Sequence, residues 1–164
     1  MKQKQIILGV DPGSLITGYG LIEVSQEGIK PLDFGAIRPP KLALKQERYL
    51  VIFNSIEQLI LQFKPESVAV ETQFVYKNVQ SALKLGMACA AVLIAAARHK
   101  VSVFEYAPKR VKQSVVGEGS ASKEQVQKMV QMHLSLKEPP MPFDASDALA
   151  IALCHAYYKD TVHV

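Results

Sequence analysis

"KQIILGVDPG", residues 4–13, decides the fold class. Ile6 to Val10 make a continuous apolar run, too short for a helix, and Asp-Pro-Gly closes it as a turn. A strand without polar alternation is covered on both faces and therefore lies inside a sheet. It ends in a carboxylate, Asp11. Working outward, "TGYGLIEVS" (17–25) and "GIKPLDFGAIR" (28–38) predict two more strands, joined by a hairpin near Gln26, Glu27 and Gly28. Pro31 has no amide hydrogen to donate and weakens the third strand.

Beyond the hairpin the period changes. Leu50, Ile52, Phe53, Ile56, Leu59, Ile60 and Phe63 recur with helical spacing, which predicts a helix over 42–63 stopped by Pro65. "ESVAVE" (66–71) is a second buried strand, and it too ends in an acid, Glu71. A long helix follows over 78–100, with Asn78 as its N-cap. "VSVFEY" (101–106) is a further strand. "PKRVKQSVV" (108–116) starts a short helix on Pro108, and a loop "GEGS" follows. Ser122 caps a helix over 122–136, with Gln125 completing a capping box. The stiff connector "KEPPMP" leads into an apolar helix, "FDASDALAIALCHAYY" (143–158). The pattern is one α/β domain over 1–164: three antiparallel strands first, then alternating helices and strands, giving a mixed sheet with helices on both faces.

The chain has 164 residues, 49% of them apolar, enough for one sizeable core. No secretory signal is expected, because the apolar run at Ile6 ends too soon. The longest apolar stretch, 85–97, reads as too short for a membrane span. Cys89 and Cys154 sit inside helical patterns, without metal-ligand spacing, and read as buried thiols of a reducing cytosol. The net charge is +4 and the pI about 9.0. Nineteen lysines and arginines face fifteen acids. If four of those acids are gathered in one pocket, the remaining surface is distinctly basic.

Four acids are candidates for such a pocket. Ligands of α/β sheets bind beyond the carboxyl ends of the strands, which is where Asp11 and Glu71 stand. Asp144 and Asp147 lie at i and i+3 on one helix face and can point at one spot. Each has a plainer reading. Asp11 before Pro-Gly suits a turn, Asp144 suits an N-cap, and Asp147 suits the positive end of a helix dipole. Glu71 is harder to dismiss, since a buried strand-end acid needs a partner and no cation is adjacent in sequence. Four convergent carboxylates repel one another and raise each other's pKa values. Hard divalent cations relieve this, and two such ions serve phosphodiester hydrolysis.

At this point the sequence resembles a known family. "GVDPGSLITGYGLI" (9–22), "VAVETQFVYKNVQSALKLG" (68–86), "FEYAPKRVKQSVVGEGSASKEQVQKMV" (104–130) and "DASDALAIA" (144–152) are similar, in order and along nearly the whole chain, to the bacterial RuvC Holliday-junction resolvases. The resemblance implies an RNase H-like five-stranded sheet, a homodimer, and paired symmetric cuts in a four-way DNA junction. It implies magnesium, with manganese as the alternative, and two ions per site. It places the catalytic, metal-binding acids on Asp11, Glu71, Asp144 and Asp147, a junction-contacting aromatic on Phe74, and basic catalytic or DNA-binding positions on Lys112 and Lys123. It also implies a cytoplasmic protein working beside the RuvA–RuvB branch-migration complex, with no membrane. Met87-Ala88-Cys89-Ala90 stands where the family commonly has Gln-Ala-Arg-Gly, and Tyr76 where a small residue is frequent.

Lys109, Arg110, Lys112 and Lys123 gather around the glycine loop and read either as a solvated basic face or as a phosphate-binding one. Lys77 joins them as an expected DNA contact. Phe74, three residues past Glu71, reads as core or as a ring that stacks on an opened base. His155 reads as a helix-face residue. Ala82, Gly86 and Ala90, at spacing four, suit close packing on the sheet or a self-complementary dimer face. Two other functions compete. A sugar-kinase or actin-like ATPase would use "DPGSLITG" on phosphate but needs a second domain. A structural DNA binder has no use for four acids. A nuclease acting on RNA–DNA hybrids is the nearest rival among enzymes.

Overall fold

The computed structural model describes residues 4–72 and 78–161. Five strands form one mixed sheet: β1 (Gln5–Asp11), β2 (Thr17–Ser25), β3 (Gly28–Ile37), β4 (Ser67–Glu71) and β5 (Ser102–Tyr106). Their spatial order is β3-β2-β1-β4-β5. β1 runs antiparallel to β2 and parallel to β4, so the sheet changes character at its central strand. Ile7, Leu8, Gly9 and Val10 are all buried, as the unbroken apolar run requires of a strand covered on both sides. Pro31 is accommodated because β3 is an edge strand. The register slips there, Leu21 pairing with Asp33 and Ile22 with Pro31, which leaves Leu32 as a bulge.

Side chains alternate across β1 and divide the core in two. Leu8 and Val10 join Leu21, Val68 and Val70 against α1 (Lys45–Phe63) and α2 (Val79–Arg98). Ile7 and Ala69 join Leu149, Ile151 and Leu153 on the other face. That face is covered by α3 (Pro108–Val116), α4 (Lys123–His133) and α5 (Phe143–Thr161).

The ends of the helices follow local chemistry. Lys64 adopts φ 50° and closes α1 just before Pro65. Asn78 accepts from the Ser81 amide at 3.2 Å as the N-cap of α2. Ser122 and Gln125 make the reciprocal capping box of α4. Two expectations need correction. α1 starts three residues later than its pattern suggested, because the Glu47 carboxylate accepts from the Leu44 amide at 2.9 Å and fixes the first turn there. α2 is long and apolar enough to cross a membrane by length and composition, although here Ala88, Val92, Ala95 and Ala96 are packed inside. His155 is a core residue, 1% exposed, bonded through Nδ1 to the Tyr106 hydroxyl at 2.6 Å and lying on the Phe104 ring. Cys89, one of the departures from the family pattern, feels Glu105 of β5, so an arginine here would face that acid.

Candidate active site

The site is built where α5 meets the sheet. Gly9 and Gly18 make that meeting possible. A Cβ on Gly9 would overlap the Ala148 carbonyl, and one on Gly18 would overlap the Asp144 carbonyl. Gly18 pairs across the ladder with Asp11. The missing side chains therefore let the first turns of α5 sit directly on the strand ends. Strand alternation puts Asp11 on the same face as Ile7 and Gly9, towards α5. β1 and β4 are parallel with Val10 beside Val70, so Glu71 follows on the strand next to Asp11.

Asp11, Glu71 and Asp147 line one recess of about 280 Å³, together with Lys112 and Lys123. Val111, Val126 and Ala150 close its floor. Asp144 is not among the lining residues, although it is near enough to raise Asp11 and Asp147. It lies one residue inside α5 rather than at an N-cap. The Ala145 and Ser146 amides donate instead to the Pro142 carbonyl, at 3.0 and 3.2 Å.

Burial holds the Asp11 carboxyl up at about 8, with Asp147, Glu71 and Asp144 adding repulsion and Lys123 opposing. Glu71 is raised by burial and then by Asp147, against the pull of Lys112 and Lys123. Burial raises Asp147 also, while Lys123 draws it down from 3.8 Å away. The partner that Glu71 lacked in sequence is thus supplied by α3 and α4. Lys123 is itself well exposed, so its ion pair adds at most about 1 kcal/mol to stability. The lysines do not neutralise the cluster. It favours either a proton or an added cation.

The donors are all carboxylate oxygens, the chemistry of a hard divalent ion. Among the described residues, no group of three acids closes up enough to hold an ion directly.

α4 does more than carry Lys123. Lys123, Gln127 and Gln131 form a stripe at spacing four, and each reaches α5 or the segment leading into it. The Gln127 amide donates to the Pro140 carbonyl at 2.9 Å and to the Met141 sulfur at 3.1 Å. Gln131 donates to the Leu136 and Lys137 carbonyls, each at 3.3 Å. Sequence reading missed this clamp; its only signal is the four-residue spacing of the two glutamines behind Lys123. The basic cluster divides. Lys112 and Lys123 face the acids, while Lys109 and Arg110 line a separate open groove behind α3. The Arg110 guanidinium lies 4.3 Å from the centre of the Tyr158 ring. Phe74 and Lys77 lie outside the described residues.

Comparison with known proteins fits this geometry. Residues 7–155 match the family model "Crossover junction endodeoxyribonuclease RuvC". A protein of that description from Protochlamydia amoebophila is 54% identical over 156 residues, covering 95% of this chain and 93% of the relative. The Thermus thermophilus RuvC structure superposes with a TM-score of 0.89 at 38% identity, covering 96% of this chain and 97% of the other. A second T. thermophilus RuvC structure, in complex with Holliday junction substrate, gives 0.91 at the same identity, covering 96% of each. The yeast mitochondrial Holliday junction resolvase shares the fold alone, at 12% identity and a TM-score of 0.65. With the family pattern matched from β1 to α5, this chain belongs to the RuvC crossover junction endodeoxyribonuclease family.

Proposed function

We propose that this chain resolves four-way DNA junctions by metal-dependent hydrolysis of backbone phosphodiesters at the recess lined by Asp11, Glu71 and Asp147. The observation that carries the reading is a buried acid cluster with Asp11 pushed up to about 8, beside two lysines, in a RuvC-family fold. Asp11, Glu71, Asp144 and Asp147 would hold magnesium or manganese, which would supply Lewis-acid polarisation of the scissile phosphate and a water of lowered pKa.

The chain's own residues do the rest. Lys112 and Lys123 bring positive charge to the open side of the recess, where charge on the phosphate builds during attack. Lys123 also holds Asp147 in place through their ion pair. The apolar floor of Val111, Val126 and Ala150 limits water beneath the acids, which strengthens each electrostatic contact. Phe74 stacks on a base opened at the crossover, and Lys77, Lys109 and Arg110 contact DNA.

Paired symmetric cuts need two such sites. The exposed apolar side of α2 supplies the surface to join them. Val79, Leu83 and Ile94 are more than half exposed there, and nothing packs over Gly86. A second copy of this chain covers that face. Cytoplasmic placement and work beside the RuvA–RuvB complex follow from family resemblance to bacterial relatives such as the Protochlamydia protein.

The test is cleavage of a labelled four-way junction, with duplex and RNA–DNA hybrid as competitors, with and without magnesium. The parent should cut the junction symmetrically and only with metal. Asp147→Asn should bind the junction and leave it uncut. Magnesium-dependent cutting at parental rate by that variant would overturn the assignment.

A further inference from the structure

Asp11 faces Asp147, Glu71 and Asp144, yet among the described residues no side-chain hydrogen bond reaches its carboxyl. Its place is therefore set by the backbone, by the end of β1 and the turn that follows. Asp144 and Asp147 ride on α5, whose apolar body is packed into the core. The strand side needs an anchor of its own, because an acid free to swing away from its neighbours would relieve their repulsion.

Thr17 supplies that anchor. It opens β2 and is fully buried. Its hydroxyl donates to the Gly13 carbonyl at 2.8 Å and accepts from the Gly13 amide at 3.2 Å. One side chain thus takes both backbone groups of a residue two places past Asp11. The next strand position, Gly18, pairs across the ladder with Asp11 itself. Ladder and hydroxyl together pin both ends of the turn. The turn is also tight, since a Cβ on Gly13 would overlap the Ile16 carbonyl. From outside, the Arg48 guanidinium donates to the Ser14 carbonyl at 3.3 Å, so α1 holds the same turn. Packing alone does not call for a hydroxyl here. Ile37, the cross-strand partner of Thr17, and Leu21, on the same face of β2, are apolar core residues. A buried hydroxyl is tolerated only when it is bonded, and both bonds of this one go to the turn after Asp11.

We propose that Thr17 is a positioning residue of the nuclease site: its hydroxyl clamps Gly13 and keeps the end of β1 from carrying Asp11 away from Glu71 and Asp147. With the clamp in place, a cation finds Asp11 close to the other acids. Without it, the cation must draw Asp11 back against their repulsion, which lowers metal affinity and leaves the rate at saturating metal little changed. This rests on the metal-dependent cutting proposed above.

Three variants test it. Each is measured for Mn2+ uptake without DNA, by loss of the spin-resonance signal of free Mn2+, for melting temperature in EDTA, and for junction cutting over a Mn2+ series. Thr17→Val keeps the shape and loses both hydrogen bonds. Thr17→Ser keeps the hydroxyl. Ile56→Val trims the fully buried core under α1 without touching the turn. Thr17→Val should need about tenfold more Mn2+ for half-maximal uptake and for half-maximal cutting, the scale of one or two lost hydrogen bonds. Its rate at saturating Mn2+ should stay within about threefold of the parent, as expected when affinity and not the chemical step is changed. Thr17→Ser should stay close to the parent in both Mn2+ requirements. Ile56→Val should melt a few degrees lower and keep the parental Mn2+ requirement. Parental Mn2+ affinity in Thr17→Val, an equal loss in Ile56→Val, or a Thr17→Ser variant as weak as Thr17→Val overturns the proposal. A parent that takes up Mn2+ and leaves the junction uncut overturns the junction reading, and the uptake measurement still decides the clamp. A parent that takes up no Mn2+ overturns the metal reading of the recess and the clamp with it.

Discussion

Asp11→Asn should make the metal-free protein more stable while ending its activity. The Asp11 carboxyl stands at about 8, against an ordinary 3.8, first because it is buried and then because Asp147, Glu71 and Asp144 face it. Between those two pH values the folded chain keeps a proton that the unfolded chain has released. Stability therefore falls as pH rises through this window, by about 1.4 kcal/mol for each pH unit, and levels off above pH 8. The whole window has a ceiling of roughly 6 kcal/mol. Asparagine keeps the shape and removes the charge. If only 2 kcal/mol is recovered, the melting temperature of a domain this size rises by about 4–8 °C.

Thermal melts in EDTA at pH 4.5, 6.0 and 8.5 check this. The gap between variant and parent should be small at pH 4.5 and widest at pH 8.5. Adding magnesium at pH 8.5 should raise the parent and leave the variant where it was, since only the parent keeps the full ligand set. A gap that does not change with pH, or a variant less stable than the parent at pH 8.5, would refute the claim that these acids are held together against their own repulsion.

Lys112→Ala and Lys123→Ala should each slow cutting or weaken junction binding, most at low salt and less as salt screens the contact, because each brings positive charge to phosphate. No change in either quantity across a salt series would place the phosphate elsewhere. Gln127→Leu should raise the magnesium needed for half-maximal cutting several-fold, since it frees the segment that leads into Asp144 and Asp147. Its melting temperature should fall by no more than about 4 °C, the scale of one or two lost hydrogen bonds; an unchanged magnesium requirement would reduce the clamp to a structural contact. Phe74→Ala should cut junctions about tenfold or more slowly at unchanged melting temperature, on the strength of a stacking contact worth about 1–3 kcal/mol. A melting temperature lowered enough to explain the lost activity would make Phe74 a core residue.

What could be read ahead of the structure follows a physical rule. β1 and β4 were legible because a strand buried on both faces carries no polar alternation, which leaves an unbroken apolar run, Ile6 to Val10 in β1 and Val68 to Val70 in β4. Their terminal acids stood out for the same reason. The spacing of Asp144 and Asp147 is local, so one helical turn was enough to pair them. The contacts that bring helix and strands together are not local. Gly9 and Gly18 lie in strands where glycine ordinarily means a weakness. Their purpose shows only when the α5 backbone is seen lying where their side chains would have been. Arg110 read as one more member of a basic cluster, because nothing in "PKRVK" says that a ring 48 residues later would lie under its guanidinium. His155 read only as a residue on one face of α5, because nothing local says that Tyr106 would reach it from β5.

The same closeness explains why the site is costly and still holds. Without the glycine floor α5 would stand off from the sheet, its acids would be farther from Asp11, and their repulsion would be slight. With it, the helix presses two aspartates onto two strand ends, and the repulsion is offset elsewhere on the same helix. Ala148 to Ala156 are all buried, and they carry Leu149, Ile151 and Leu153 into the core. Burying one such side chain contributes about 1.5–3 kcal/mol, so these three together are of the same order as the cost of crowding the acids. The acid end and the apolar body of α5 are therefore one device: the body anchors the helix firmly enough that its acids cannot move apart to relieve their charge. A proton or a cation can do that, and the cutting proposed for this chain would use the cation.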